Sequence, residues 1–148
     1  MHPYPHTYSV TATGSATGPV PVESAGLPAL TTAPPKEFDG PGDVWSPESL
    51  LVAAMADCYV LTFRGVARAA KYDWNELRCE VDGVLERVDG VTRFSGYTSR
   101  ATLTVKAGAD HAKGEEILKR TERVCLVNNS VLGDRHLVAR VVESSREG

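Results

Sequence analysis

Three cysteines, Cys58, Cys79 and Cys125, are the residues of this chain best suited to carry chemistry. Their odd number and wide spacing do not predict the disulfide framework of a secreted protein, and no CxxC pair is present. The four histidines are scattered and do not combine with the cysteines in a zinc-binding pattern, so we expect no metal site. This cysteine usage predicts a cytoplasmic protein whose thiols are either buried packing residues or reactive groups.

Packing and redox chemistry both remain open for these thiols when only their neighbours in the sequence are considered. Cys58 lies in a long apolar stretch, and Cys125 follows a charged helical pattern and is close to Arg123. A reactive thiol needs a cation, a helix N-terminus or hydrogen-bond donors to stabilise its thiolate. The polar residues 128–130 could supply such donors or simply cap a turn. Cys79 lies in a predicted strand between charged residues, which favours packing or surface exposure.

Length and composition predict one domain over residues 1–148 and exclude several classes of partner. The chain has 148 residues, 42% hydrophobic content and 24% charged content, which are ordinary values for a globular domain. Its net charge of −3 argues against a nucleic-acid partner. The apolar stretches look shorter than the roughly 20 residues that span a bilayer, so we expect no membrane partner. The first residues lack the basic and apolar regions of a signal peptide.

Periodicity and turn residues predict an α+β fold. A loop rich in proline and glycine covers residues 33–45, where we expect no helix and expect Phe38 and Trp45 to anchor the loop. Ser46 as N-cap and Pro47 at the first position then begin a long apolar helix that should be buried on several sides. A further helix is predicted over residues 111–123, and a short helix or turn over residues 125–132. The predicted strands are residues 8–13, 20–24, 27–32, 77–87, 91–105 and 137–143.

Two segments resemble the OsmC/Ohr family. WSPESLLVAAMADCY, residues 45–59, is similar to the family's central helix, in which a Pro-Glu pair begins the helix and a cysteine follows ten residues after the glutamate. Glu48 and Cys58 keep this spacing, and VCLVNNSV, residues 124–131, resembles the segment around the second cysteine. The resemblance implies a mostly antiparallel sheet, a long buried central helix and an intertwined homodimer.

The resemblance also implies a reaction. Cys58 would be the peroxidatic thiol that reduces an organic hydroperoxide to an alcohol and becomes a sulfenic acid. Cys125 would be the resolving thiol that condenses with it into a disulfide. An external dithiol, which is a protein-bound lipoyl group in better-known members, would then reduce the disulfide. No cofactor, metal or flavin is implied.

The remaining site residues are Glu48 and Lys36. Ten residues of helix span about 15 Å, so Glu48 cannot touch Cys58 of its own chain and would have to come from a partner subunit. Family members place an arginine near the active cysteine, whereas this chain offers Lys36 as the cation of the corresponding loop. Two other hypotheses stay open: a module that binds a small apolar or thiol ligand, and a structural dimer with inert core cysteines.

Overall fold

The computed structural model describes residues 1–145 of the chain. They divide into two compact units, one covering Met1–Leu51 and the other beginning at Val52. A single domain over residues 1–148 therefore stays a prediction, and its last three residues lie outside the described residues. Strands and helices are numbered below in chain order.

A small antiparallel sheet forms the first unit. It consists of β1 (Thr11–Ala12), β2 (Val20–Glu23) and β3 (Leu30–Thr32), in that spatial order. The three predicted strands are all present, but β1 and β3 are shorter than the alternation indicates. Glycine and proline residues around them limit regular pairing, because proline lacks a backbone donor and glycine favours turns.

The loop that follows β3 differs from its prediction in two respects. It contains one turn of 3-10 helix at Lys36–Phe38, where we expected no helix. Proline precedes this turn rather than interrupting it, and this position tolerates the fixed proline φ. The side chains of Phe38 and Trp45 are 53% and 50% exposed, so the prediction that they anchor the loop is wrong. The backbone of Trp45 instead forms a parallel bridge with Thr32.

The second unit contains a larger three-stranded sheet. Strands β4 (Glu76–Val88) and β5 (Val91–Val105) form the predicted antiparallel hairpin, closed by Asp89 and Gly90 in left-handed conformations. Strand β6 (Asp134–Glu143) begins earlier than predicted and pairs parallel to β5. The two sheets and two helices confirm the α+β class, with β5–β6 as the parallel exception in a mostly antiparallel arrangement.

Helix α1 (Pro47–Ala69) begins with the predicted cap. The Ser46 hydroxyl accepts from the Ser49 backbone N–H at 3.1 Å, and the Ser49 hydroxyl accepts from the Ser46 N–H at 2.9 Å. This reciprocal pair satisfies two backbone donors at the helix start. One stripe of the helix is fully buried, at four-residue spacing: Met55, Tyr59, Phe63 and Ala67. Burial on several sides is therefore not reached within one chain.

The remaining apolar surface of α1 bears on the membrane prediction. Within residues 1–145, α1 is the helix that is long and apolar enough to cross a membrane, judged by length and composition alone. Its mean hydropathy over a window of 18 residues is 1.6. The expectation that no stretch reaches this length is wrong. Only 22% of that window is buried. Core helices of soluble proteins meet the same criterion, so this finding is weak evidence for a membrane.

The core of the second unit lies between α1, the larger sheet and α2 (His111–Val124). Burial alternates along both strands: more buried and exposed residues alternate in most of β4, whereas fully and partly buried residues alternate in the second half of β5. Helix α2 begins at Asp110, whose carboxylate accepts from the Lys113 N–H at 3.0 Å. Its buried residues Ile117 and Leu118 close the core over α1. This packing fixes the two helices that carry Cys58 and lead to Cys125.

Candidate active site

Cys58 lies at the edge of the buried stripe of α1 and is half-buried. The next residue, Tyr59, is fully buried, and its hydroxyl donates to the Leu118 carbonyl at 2.8 Å. This bond fixes the rotation of α1 against α2. Because consecutive helix residues point about 100° apart, Cys58 is held beside the core rather than inside it. It is therefore a thiol in a fixed position that keeps some access to solvent.

Cys125 caps the C-terminus of α2 and is fully buried. Its backbone N–H donates to the Thr121 carbonyl at 2.9 Å, and its own carbonyl accepts from the Asn129 N–H at 3.0 Å. The chain then forms a 3-10 turn at Asn128–Ser130, which confirms the predicted short helix or turn. These backbone bonds hold the cysteine between the end of α2 and the 3-10 turn.

The fold brings the two thiols together. Burial is the main cause that raises the pKa of Cys125, and the neighbouring Cys58 side chain raises this pKa further through a hydrogen bond and its charge. The backbone N–H of Asn128 and the hydroxyl of Thr62 act in the opposite direction and lower it. Both cysteines are free thiols in this structure. The result is an asymmetric pair, with one partly accessible thiol and one buried thiol whose pKa is raised.

Cys79 lies near the same cluster, which its sequence context does not reveal. It points inward from β4, packs against the core and is half-buried, so the expectation of a packing role agrees with its position. Burial, followed by the charges of Glu122, Cys125 and Glu80, raises the pKa of Cys79 to about 12. A thiol with this pKa holds its proton at neutral pH and is a poor nucleophile.

A polar network supports the segment after Cys125. The Asn128 side-chain amide donates to the Glu122 carboxylate at 3.0 Å, and Glu122 forms an ion pair with Arg135 at 3.5 Å. Arg135 also donates to the side-chain oxygen of Asn129 at 3.2 Å. Asn128 is fully buried, so its contact with a carboxylate is a strong, directional restraint. The network ties the turn to α2 on one side and to β6 on the other.

Glu48 and Lys36, the other two predicted site residues, belong to the first unit. Glu48 lines a cavity of about 430 Å³ whose other walls are almost entirely apolar, including Val20, Pro34 and Phe38. One carboxylate oxygen of Glu48 is buried without a hydrogen-bond partner. The Lys36 side chain lies beside Gly42, and no ion pair of Lys36 occurs within residues 1–145. Lys36 is therefore not paired with Glu48 in this structure.

The fold and the two thiols first define a class of protein. The chain is an α+β protein in which a half-buried cysteine on a long apolar helix lies near a second, buried cysteine at the end of another helix. The model of the family described as OsmC-like protein matches residues 40–136. That match covers the helix with Cys58 and the segment with Cys125, and the chain belongs to this family.

Known proteins agree with this assignment. The uncharacterised protein YmaD of Bacillus subtilis (strain 168) is 27% identical over 106 residues, which cover 70% of this chain and 71% of that protein. The crystal structure of an organic hydroperoxide resistance protein OsmC from Legionella pneumophila has 25% identity and a TM-score of 0.73, over 92% of this chain and 96% of that one. An organic hydroperoxide resistance protein from Elizabethkingia anophelis has 20% identity and a TM-score of 0.77, over 95% and 99%.

Proposed function

We propose that this protein is a thiol peroxidase that reduces organic hydroperoxides to alcohols. The observation that carries the proposal is the proximity of a partly accessible thiol, Cys58, to a buried thiol, Cys125. Accessibility favours Cys58 as the group that meets the peroxide, because the attacked oxygen has to reach the sulfur. The relatives named as organic hydroperoxide resistance proteins support a peroxide-related role for the family.

The proposed reaction uses two thiols for each peroxide. The Cys58 thiolate attacks the peroxide oxygen, the O–O bond breaks, and the alkoxide leaves as an alcohol after it takes up a proton. Cys58 is thereby oxidised to a sulfenic acid. The Cys125 thiol then displaces the sulfenic oxygen as water and forms a disulfide. An external dithiol, of the lipoyl type, restores both thiols by exchange. In this scheme the chain needs no cofactor of its own.

The first unit provides a candidate for the alkyl side of the substrate. Its cavity of about 430 Å³ is largely apolar, which suits the carbon chain of a hydroperoxide. Glu48 is the acidic residue of its lining. We propose that Glu48 serves the Cys58 of a partner subunit. Lys36 stays the candidate cation, and it would have to leave Gly42 to take that role.

A homodimer would also cover the apolar surface of α1. Leu61 is 52% exposed on this helix. Association of two copies would bury such residues and gain about 25 cal/mol for each Å² of apolar surface removed from water. We expect analytical ultracentrifugation to find a dimer and Leu61→Glu to weaken it, while Val138→Glu, on the outward face of β6, leaves it intact. A monomer at all concentrations would contradict the proposed dimer.

The peroxidase proposal has a stoichiometric test. Reduced protein should consume an alkyl hydroperoxide and lose two thiols per chain. Cys58→Ser should abolish consumption, and Cys125→Ser should leave a sulfenic acid on Cys58 instead of a disulfide. The matched control is Cys79→Ala, which should retain both peroxide consumption and disulfide formation. Wild-type protein that leaves the peroxide intact and keeps its thiols would overturn the proposal.

The apolar cavity and its carboxylate favour a second candidate function. An acidic group in an apolar cavity can hold a small ligand without turnover, and the first unit contains such a site around Glu48. Under this hypothesis the native protein would carry a small apolar or thiol compound. Native mass spectrometry should detect it, and Glu48→Gln should release it. Release together with an absence of peroxide consumption by the wild type would favour binding over catalysis.

A further inference from the structure

The hydroxyl of Thr62 lies beside both thiols of the proposed site. Thr62 is four residues after Cys58 on α1, so the two side chains share one face of the helix. Thr62 Oγ1 is 3.7 Å from Cys58 Sγ, which is hydrogen-bonding range for sulfur. The same hydroxyl lowers the pKa of the Cys125 thiol, so it lies near this second sulfur as well. It is thus an oxygen in contact with the Cys58 sulfur and close to the Cys125 sulfur.

The hydroxyl of Thr62 has a different kind of partner from the hydroxyl of Thr121, which is also in a helix. The Thr121 hydroxyl donates to the Ile117 carbonyl at 2.8 Å, which is the usual local bond of a threonine within a helix. Thr62 instead directs its hydroxyl toward sulfur. A hydroxyl has one proton to donate and lone pairs to accept another, so it can exchange protons with two neighbours at the same time.

The disulfide-forming step needs such an exchange. Cys125 has to lose its thiol proton to become a nucleophile, and the oxygen on Cys58 has to gain a proton to leave as water. Cys125 is fully buried, so bulk water is a poor acceptor for its proton. Because burial and Cys58 both raise the pKa of Cys125, this step benefits from a nearby hydroxyl that takes up this proton while it gives up its own.

We propose that Thr62 is a catalytic residue that relays a proton from Cys125 to the leaving oxygen during disulfide formation. Its Oγ1 accepts the Cys125 thiol proton and passes its own proton to the hydroxyl of the Cys58 sulfenic acid. The S–O bond breaks, water leaves and the Sγ–Sγ bond forms. The Cys125 sulfur supplies the electron pair of the new bond, the electron pair of the S–O bond leaves with the oxygen, and Thr62 ends the step unchanged. This inference rests on the proposed peroxidase function and assigns a residue to its second step.

The experiment separates the two chemical steps in single-turnover reactions. Reduced wild type, Thr62→Val and Thr62→Ser are mixed with one equivalent of cumene hydroperoxide, and the alcohol released is measured against time. The sulfenic acid is trapped with dimedone, and the disulfide is counted by mass spectrometry. Thr121→Val is the matched control, since it removes a buried hydroxyl that bonds only a backbone carbonyl among the contacts of residues 1–145. Thermal melts confirm that each variant is folded.

Thr62→Val should release alcohol at nearly the wild-type rate but form the disulfide roughly 10–100 times more slowly, in keeping with the usual contribution of positioned proton transfer. The sulfenic acid should accumulate in this variant alone. Thr62→Ser and Thr121→Val should resemble the wild type. Disulfide formation at the wild-type rate in Thr62→Val, or equal slowing of both steps, would overturn the role of Thr62 and leave the peroxidase proposal standing. A wild type that releases no alcohol would overturn both.

Discussion

The buried hydroxyl of Tyr59 joins α1 to α2 beside the thiol pair, and Tyr59→Phe should change stability in a direction that depends on pH. Tyr59 is fully buried, and its hydroxyl donates to the Leu118 carbonyl at 2.8 Å. The substitution removes this oxygen and leaves the ring. Near neutral pH, the free energy of unfolding should fall by about 1 kcal/mol, the net value of one buried hydrogen bond.

Above about pH 10 the stability difference between wild type and Tyr59→Phe shrinks and then reverses. Burial, followed by the charges of Cys79, Glu122 and Cys125, raises the pKa of Tyr59, so the folded chain keeps the phenolic proton. The unfolded chain releases it near the ordinary value of about 10. Wild-type stability therefore falls by up to about 1.4 kcal/mol per pH unit above that value, and not below it. Phenylalanine has no proton to lose. The two proteins should be equally stable between about pH 10.5 and 11, with the variant more stable above this range.

Urea unfolding followed by circular dichroism at about pH 7, 9, 10 and 11 measures this difference. Other ionisations affect both proteins alike and cancel in the comparison. Tyr8→Phe removes the hydroxyl of an exposed tyrosine and should leave stability unchanged at each pH. A difference between wild type and Tyr59→Phe that stays constant over this range would refute the assignment of a buried, protonated phenol.

The thiols and two helical glycines give further predictions. In reduced, folded protein, Ellman's reagent at about pH 8 should label Cys58 first and Cys79 and Cys125 slowly, whereas all three should react quickly in urea. Equal rates in the folded state would contradict the burial of Cys125 and the raised pKa of Cys79. Gly65→Ala, made in the Leu61→Glu variant to remove the proposed dimer contact on the same helix face, should raise the free energy of unfolding by about 0.5–1 kcal/mol in thermal melts, since its Cβ meets nothing within 4 Å in the single chain. Gly114→Ala should lower it by about 1–3 kcal/mol, since its Cβ would lie 2.6 Å from a tyrosine oxygen; a gain in stability would show that α2 can shift freely.

Local signals account for the parts of the fold that the sequence predicts well. The β4–β5 hairpin follows from alternating side chains and an Asp-Gly turn, and the start of α1 follows from Ser46 and Pro47. The parallel pairing of β5 and β6 has no local signal, because alternation gives the faces of a strand but neither its partner nor its direction. The apolar composition of α1 likewise does not reveal which of its sides the same chain covers.

In the candidate site, too, contacts within one helix can be predicted from the sequence, whereas contacts between separate elements cannot. Periodicity alone does not bring Cys58 and Cys125 together, and their pairing could be predicted only through the family resemblance. The spacing of Cys58 and Thr62 is a local signal for one shared helix face, but the approach of Cys125 to that face depends on how α2 ends. The proximity of Cys79 to Cys125 depends on sheet and helix packing, which a single strand pattern does not contain.

The charge of Glu122 explains how a chain with three neighbouring cysteines can restrict its chemistry to two. Glu122 anchors the turn after Cys125 through Asn128, whose backbone N–H lowers the pKa of Cys125. The same carboxylate raises the pKa of Cys79 and so disfavours a third thiolate. A cation in its place would favour that thiolate and invite exchange between Cys79 and a Cys58–Cys125 disulfide. The network that positions the segment after Cys125 therefore also disfavours the thiolate of Cys79.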